Sequence, residues 1–374
     1  MHMKTVLITG AKGFIGKHLV EALQRNSELH VLAYDLDGST EVLAEGLRHA
    51  DIIYHLAGVN RPRDPADFAS GNTGVTETLC AQLLSLGRKP LIVISSSIQA
   101  EQDNLYGVSK LNAENVLRRW AIESGARVAI FRLKNVFGKW CRPNYNSVTA
   151  TFCHNIAHGL PIQISDPMRE LDLVYIDDVV TGLVAADDPP VAAGSTVCRV
   201  IPQSHQTTLG QLAHLIQSFQ RSRETLALPS MADVFTRRLY ATYLSYLDGA
   251  DFSYALKQRT DARGSLAEFI KQPHFGQVFV SRTHQGITRG NHYHHTKTEK
   301  FFVVEGEAII RFRPILGGEV IEHRVSGTQF RVVDIPPGYA HSIENVGHTE
   351  LVTLFWASEI FDPKTSDVYA QAVL

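Results

Sequence analysis

The stretch Val6 to Leu19, VLITGAKGFIGKHL, limits what this chain can fold into more than any other. An apolar run ends at Thr9, glycines follow at positions 10, 13 and 16, and an amphipathic run begins among them. Glycines let the backbone turn tightly and come close to a bound group. A helix that starts there offers unpaired N–H groups and the positive end of its dipole. Alone, a glycine triplet often marks only a tight turn. Placed directly after a first strand, it points to a phosphate held where strand passes into helix.

The next region keeps the same rhythm. Thr5–Thr9, His30–Tyr34, Asp51–Leu56, Leu91–Ser95 and Val128–Leu133 read as buried strands. Lys17–Gln24 and Leu111–Ala121 between them are apolar at helical spacing. That alternation predicts a parallel sheet covered on both faces. From about Gln277 the pattern changes. GQVFVSR, EKFFVVEGEAIIRFR and TELVTLFWA read as strands separated by glycine and proline turns, with almost no helix between them. This predicts an all-β barrel or sandwich. The change falls between Tyr243 and Tyr254, and the boundary is drawn to give domains 1–247 and 248–374. A chain of 374 residues is long enough for two such domains.

Composition excludes some partners. With 36 basic against 38 acidic residues and a net charge of -2, neither nucleic acid nor an anionic membrane is the expected main partner. Apolar runs such as Leu351–Ala357 are too short to span a bilayer. Cys80, Cys141, Cys153 and Cys198 are scattered, without CxxC, and no secretory signal opens the sequence; a reduced, cytoplasmic protein is expected. Met1-His2 ahead of Met3 reads as a cloning remnant.

Two sets of residues carry chemistry. In Tyr106-Gly-Val-Ser-Lys110 the tyrosine and lysine share one helix face. An ammonium beside a phenol favours the phenolate, so the pair suits proton transfer near neutral pH. SSSIQA, Ser95 to Ala100, adds a hydroxyl after a predicted strand. The common meaning of YxxxK is only a surface tyrosine and lysine, so its context matters. The second set is His292-x-His294 followed by Glu299, then Pro336-x-Gly338-x-x-His341. Strand alternation puts His292 and His294 on one face and His295 on the other. Two histidines, a carboxylate and a third histidine form a ligand set for Zn, Fe, Mn or Ni. A lone strand histidine is more often structural, but four ligand types at this spacing in two distant segments are not easily accidental.

The glycine loop, serine cluster and YxxxK, with HLAGVNRP and VYIDDVV, resemble the extended short-chain dehydrogenase/reductases. The histidine segments resemble the cupins in ligand order and spacing. The implied fold is an α/β Rossmann-type doubly wound parallel sheet followed by an all-β cupin, a jelly-roll barrel. The first resemblance implies that Tyr106 is the general acid and that Lys110 tunes it and holds the nicotinamide ribose. Ser97, or alternatively Ser96, would hydrogen-bond the reacting carbonyl. The Ser97-to-Tyr106 gap is shorter than the family's, which implies a trimmed loop there. Gly10, Lys12, Gly13, Phe14, Ile15, Gly16, Asp35, Leu56 and Ala57 would line the dinucleotide. Asp35 suits the 2′-hydroxyl of NADH and Lys12 the 2′-phosphate of NADPH. Asn135, Lys139, Arg142 and Asn146, in RLKNVFGKWCRPNYNS, are candidates for the sugar nucleotide, since Arg and Lys suit a pyrophosphate. A basic loop folded back on its own domain is the competing reading.

A reductase domain continued into a cupin, with FGKWCRPNYNSVTATFC, TYLSYL and GNHYHHTKTEKF, is similar over its length to a family of bifunctional capsular polysaccharide enzymes. That resemblance implies C3 epimerisation of UDP-2-acetamido-2,6-dideoxy-hexos-4-ulose at a divalent metal, taken as zinc. NADPH-dependent C4 reduction to UDP-N-acetyl-6-deoxy-L-talosamine would follow, in the biosynthesis of UDP-N-acetyl-L-fucosamine. It also implies a homodimer or higher homo-oligomer. A ketone acidifies the neighbouring C–H, so epimerisation has to precede reduction. Candidates for the epimerising base are a water on the metal, His295 and Tyr339. The alternatives are a plain 4-ketosugar reductase with a non-catalytic cupin, and a cupin dioxygenase unrelated to the reductase.

Overall fold

The computed structural model describes residues 3–374; Met1 and His2, read above as a cloning remnant, lie outside the described residues. The chain divides into two compact units, Met1–Ile216 with Arg237–Leu247, and Gln217–Thr236 with Asp248–Leu374. The stretch 217–236 thus clusters with the second unit, although it precedes the boundary drawn from sequence.

The first unit alternates strands and helices: β1 Lys4–Thr9, α1 Phe14–Gln24, β2 Leu29–Tyr34, α2 Thr40–His49, β3 Ile52–His55, α3 Val75–Ser85, β4 Leu91–Ser97, α4 Leu105–Ser124 and β5 Arg127–Leu133. Then come β6 Asn135–Phe137, α5 Val148–Ala157, β7 Glu170–Tyr175, α6 Ile176–Val184, β8 Ser195–Arg199 and β9 His205–Thr208. Helices α7 Leu209–Thr225 and α8 Val234–Leu244 come after them. Six strands form one sheet in the order β2-β1-β3-β4-β5-β8. All its pairings are parallel.

Successive side chains of a strand face opposite ways, and this sheet buries both faces. Val6 and Ile8 pack under Leu19, Leu23, Val179 and Leu183. Leu7 and Ile53 face Leu47, Leu83, Leu117 and Trp120 on the other side. Such burial explains why the strands read as near-continuous apolar runs. Chain order reverses between β1 and β3, and the crevice at the carboxyl ends of such strands is where ligands bind in open α/β sheets.

Gly10 and the segment after β3 meet at that crevice. Gly10 has φ +73°, and a Cβ there would lie 2.6 Å from the Ala57 nitrogen. A Cβ on Gly16 would lie 2.2 Å from the Gly10 carbonyl oxygen. These two glycines set how closely α1 and the β3 extension approach the loop.

The second unit is antiparallel. Its strands are β10 Gln258–Asp261, β11 Gly264–Gln272, β12 Gly276–Thr283, β13 Thr288–Tyr293, β14 Glu299–Glu305, β15 Glu307–Pro314, β16 Ile321–Ser326, β17 Val332–Ile335, β18 Tyr339–Asn345, β19 Leu351–Ala357 and β20 Tyr369–Ala370. They form sheets of order β10-β11-β12-β19-β14-β17 and β16-β15-β18-β13-β20. Phe301, Val303, Ile310, Phe312, Ile343 and Phe355 fill the space between. This is the two-sheet architecture expected of the cupin-like half.

Replacing Gly10 with alanine puts a methyl group against the Ala57 backbone and a side chain at positive φ. A loss on the order of 1–3 kcal/mol is expected, read as a lower urea midpoint with an unchanged m-value.

Candidate active site and metal centre

The first unit's site gathers where β4 ends and α4 begins. A short turn, Ile98–Glu101, and the N-cap residue Asn104 connect them. The Asn104 side chain accepts from the Gly107 N–H at 2.8 Å, which fixes the first turn of α4. The trimmed connection therefore places Tyr106 in the first turn of the helix and Lys110 one turn on. Ser97 hydrogen-bonds the Tyr106 side chain. The Lys110 ammonium lies 5.9 Å from the Tyr106 ring centre and donates to the Ser95 carbonyl at 3.2 Å.

Burial pulls the Lys110 pKa down to about 8, against the opposing field of Glu114. The Tyr106 phenol is pushed up by burial, while the Ser97 hydrogen bond pulls it down. The sequence alone predicts a lowered phenol pKa from the lysine; in the fold burial raises it instead, opposed by the Ser97 hydrogen bond.

Ser96 has a different task. Its hydroxyl donates to the Glu114 carboxylate at 2.6 Å, and Glu114 also binds Arg118 at 2.9 Å and Arg132 at 2.7 Å. Ser96 therefore belongs to a buried ionic cluster and Ser97 to the tyrosine. The sequence offered no means of separating the two hydroxyls, because the partner carboxylate lies on α4.

Other residues came to light only in the fold. Asn72 accepts from the Val59 N–H at 3.0 Å and donates to the Ser109 hydroxyl at 3.0 Å. A Cβ at Gly58 would meet the Asn72 Oδ1 at 2.6 Å and the Lys110 Nζ at 3.1 Å. Gly58 thus leaves a cradle beside the lysine. His55 is held between the Thr9 and Thr76 hydroxyls at 2.9 and 3.0 Å. Burial and Lys110 lower its pKa to about 4.

The glycine loop fits a dinucleotide. Helix α1 starts at Phe14 and Ile15 with Gly13 as N-cap, no side-chain cap and no acidic residue in its first turn. Its first N–H groups are left for an anion. Leu56 and Ala57 run beside Gly10. Asp35, just beyond β2, accepts from the Lys12 and Leu36 N–H groups at 2.8 and 2.9 Å. The Lys12 ammonium pairs with Asp37 at 2.6 Å in an exposed contact.

The four sugar-nucleotide candidates are engaged separately. Lys139 approaches Asp177 at 3.4 Å and lies over the Trp140 ring at 5.1 Å. Arg142 lies over the Tyr145 ring at 5.0 Å. Asn135 and Asn146 are exposed. The loop is anchored where the Tyr246 hydroxyl donates to the Cys141 carbonyl at 2.6 Å.

In the second unit, His292 on β13, His294 just after it, Glu299 at the start of β14 and His341 on β18 present ligand atoms within 4.8 Å of one another. A bulge between Gly290 and His292 pairs His292 with His341 across the strands. Asn291 at that bulge has φ +60°. Bulges re-aim side chains, and this one turns His292 toward its partners. The Nε2 atoms of His294 and His341 are buried without a hydrogen-bond partner. Each lies 3.5 Å from a Glu299 oxygen. Burial alone would raise the Glu299 carboxyl, but the two imidazoles hold it far below the usual range. Burial and His341 take His292 down to about 4. Three imidazoles and a carboxylate converging around two orphaned nitrogens fit a divalent metal.

Residues around the ligands fix them. The Asp367 carbonyl accepts a hydrogen bond from Nδ1 of His294, which leaves Nε2 as the ring's ligand atom. The Asp367 carboxylate accepts from the N–H groups of His295, Thr296 and Lys297 at 3.0, 2.7 and 2.9 Å. Lys297 in turn lies 3.1 Å from Glu299. His295 is exposed and packs at 4.9 Å on Tyr369, and Tyr339 packs on Phe312 at 6.5 Å. Neither lines the cavity of about 400 Å3 that His292 and Glu299 border. No helix among the described residues is long and apolar enough to cross a membrane.

Fold and site together define a nucleotide-sugar type of short-chain reductase unit joined to a cupin-like unit with a metal-ligand set. Residues 6–197 match the NAD dependent epimerase/dehydratase family, and residues 259–369 the polysaccharide biosynthesis C-terminal domain. A Pseudomonas aeruginosa protein, UDP-2-acetamido-2,6-beta-L-arabino-hexul-4-ose reductase, is 44% identical over 98% of both chains. The crystal structure of the capsular polysaccharide assembling protein CapF from Staphylococcus aureus superposes with a TM-score of 0.91, at 46% identity and full coverage of both chains. A Thermotoga maritima UDP-glucose 4-epimerase matches 65% of this chain at 22% identity and TM-score 0.53, a likeness of fold. The chain belongs to the CapF family.

Asp367→Ala is expected to weaken zinc binding about 10- to 100-fold, read by competition with a chromophoric chelator. For His55, the folded pKa of about 4 lies below the ordinary 6.5. Between those values the unfolded chain takes up a proton that the folded chain refuses, so stability is full above the window and falls as pH drops through it. Urea midpoints of His55→Gln are expected to vary less between those pH values than those of the parent.

Proposed function

We propose that this chain is a bifunctional enzyme of capsule or O-antigen synthesis. Acting as a homo-oligomer, it epimerises C3 of UDP-2-acetamido-2,6-dideoxy-hexos-4-ulose in the second unit. It then reduces C4 in the first unit, giving UDP-N-acetyl-6-deoxy-L-talosamine on the route to UDP-N-acetyl-L-fucosamine. The observation that carries this reading is the pair of sites in one chain: a proton-donating Ser97–Tyr106–Lys110 group, and four converging ligand atoms with two orphaned imidazole nitrogens. The relative named for reduction of a UDP-linked hexul-4-ose supports the substrate class. A CapF structure solved with the inhibitor 3-isopropenyl-tropolone, 42% identical with TM-score 0.87, supports the metal, because adjacent tropolone oxygens chelate divalent ions.

In this reading a nicotinamide cofactor supplies the hydride. NADPH is the proposed donor, and NADH the alternative that Asp35 favours. The Tyr106 hydroxyl gives its proton to the C4 oxygen as hydride arrives, and Ser97 holds that oxygen by hydrogen bonding. A raised phenol pKa keeps the proton in place until the oxygen becomes basic. Lys110, its pKa near 8, provides a cation beside the developing phenolate and a donor for the cofactor's ribose. Asn72 and Gly58 leave that ammonium room to do so.

In the second unit, a divalent metal, zinc in this reading, supplies Lewis acidity that makes the C3 proton of a 4-ketose easier to remove. His292, His294, Glu299 and His341 would hold it. Asp367 fixes the His294 tautomer and the loop that carries Lys297. The order of the two reactions follows from acidity: once C4 is an alcohol, C3 no longer exchanges.

The test is C3 exchange in heavy water without nicotinamide cofactor, followed by NMR. Parent and Tyr106→Phe are expected to lose the C3 proton signal, and His341→Ala to keep it. With NADPH added, Tyr106→Phe is expected to reduce the ketone about 10²–10⁴-fold more slowly. A C3 signal that persists in the parent while reduction proceeds would make the chain a plain 4-ketosugar reductase with a non-catalytic cupin.

A further inference from the structure

The cavity above the metal ligands has a second chemical feature. Arg259, Arg263 and Arg289 line it together with His292, Lys297 and Glu299. Lys297 is neutralised by Glu299 at 3.1 Å. Arg263 has Asp261 at 2.6 Å, and Arg259 stands 3.7 Å from Glu268, which Lys271 already holds at 2.9 Å. Arg289 has no carboxylate at ion-pair distance among the described residues. Its side chain donates to the Thr283 hydroxyl at 2.9 Å and the Arg282 carbonyl at 3.4 Å. It is half-buried. Burial and the Arg263 charge disfavour its protonated form, against the opposing field of Asp261.

A partly desolvated guanidinium is costly when no carboxylate pairs with it. Guanidinium groups match phosphate oxygens two at a time, and more than one can share a diphosphate. Arg289 comes from β13, the strand that carries His292, so the cation and the metal ligand are three residues apart on one strand. Arg259 and Arg263 come from β10 and from its turn into β11. We propose that Arg259, Arg263 and Arg289 form a binding site for the diphosphate of a nucleoside diphosphate sugar, with the sugar lying toward His292, His294, Glu299 and His341. This deepens the reading of the second unit as a site for a UDP-linked ketose and rests on it. The volume of about 400 Å3 suits a hexose with its diphosphate. A chain with this site grips a nucleotide twice, once in each unit.

Calorimetric titration of the full, zinc-loaded chain with UDP tests this. Two UDP per chain are expected for the parent, and one for Arg263→Ala/Arg289→Ala. Arg289→Lys, which keeps the charge but loses the fork, is expected to weaken that second site about tenfold. Inorganic pyrophosphate is expected to displace UDP from it. One UDP per chain in the parent, two of unchanged affinity in the double variant, or no displacement by pyrophosphate would overturn the proposal. Unaltered zinc content and the remaining UDP site serve as the check that the variants are folded. C3 exchange, measured in parallel, separates the two claims. Two UDP per chain without exchange would remove the epimerase and leave the diphosphate site. Exchange with an unchanged KM in the double variant would remove the diphosphate site and leave the epimerase.

Discussion

The first unit depends on one close approach, the Gly10 backbone against that of Ala57. Neither segment can move apart without opening the crevice between β1 and β3, and no side chain fits between them. Around that point the sheet reverses its order, the N–H groups of α1 are left without side-chain partners, and the extension of β3 runs on to Gly58 beside Lys110. A parallel sheet buried on both faces supplies the rigidity for this. Its apolar strands determine where the carboxyl ends lie, and Ser97, Tyr106 and Lys110 come from the end of β4 and the start of α4.

The second unit rests on a different constraint: two buried imidazole nitrogens that the protein leaves without a hydrogen-bond partner. Buried groups are normally hydrogen-bonded, and a ligand at the Nε2 atoms of His294 and His341 would complete them. His292, Glu299 and the arginines reach one cavity from neighbouring strands, and the bulge at Asn291 turns β13 between Arg289 and His292. The arginines and two residues of the ligand set thus share a wall of that cavity.

Much of this was legible in the sequence, for physical reasons. Buried parallel strands must be apolar throughout, so Thr5–Thr9 and Leu91–Ser95 announced themselves. The ligand spacing of His292, His294 and Glu299 follows from strand alternation and one turn. What could not be read was whatever depends on a partner from afar. Ser96 and Ser97 are adjacent and identical, and only Glu114 on α4 tells them apart. The phenol's pKa depends on how deeply Tyr106 is buried, which a four-residue spacing does not encode. Asp367 lies 73 positions from His294, and Asn72 lies 37 from Ser109. His295 was one candidate base, and the fold packs it edge-on against Tyr369, distant in the sequence.

The position of Asp367 has a consequence for how the protein is made. The six strands of the parallel sheet have all been synthesised by Arg199, so that sheet can begin to form on the ribosome while the second unit is still untranslated. The loop carrying His294 is held by a residue near the chain's last strand, and the backbone at Asn291 receives the N–H of Gln371. The arrangement of His292, His294, Glu299 and His341 can therefore be settled only after Gln371 has been added, well after the strands of the parallel sheet.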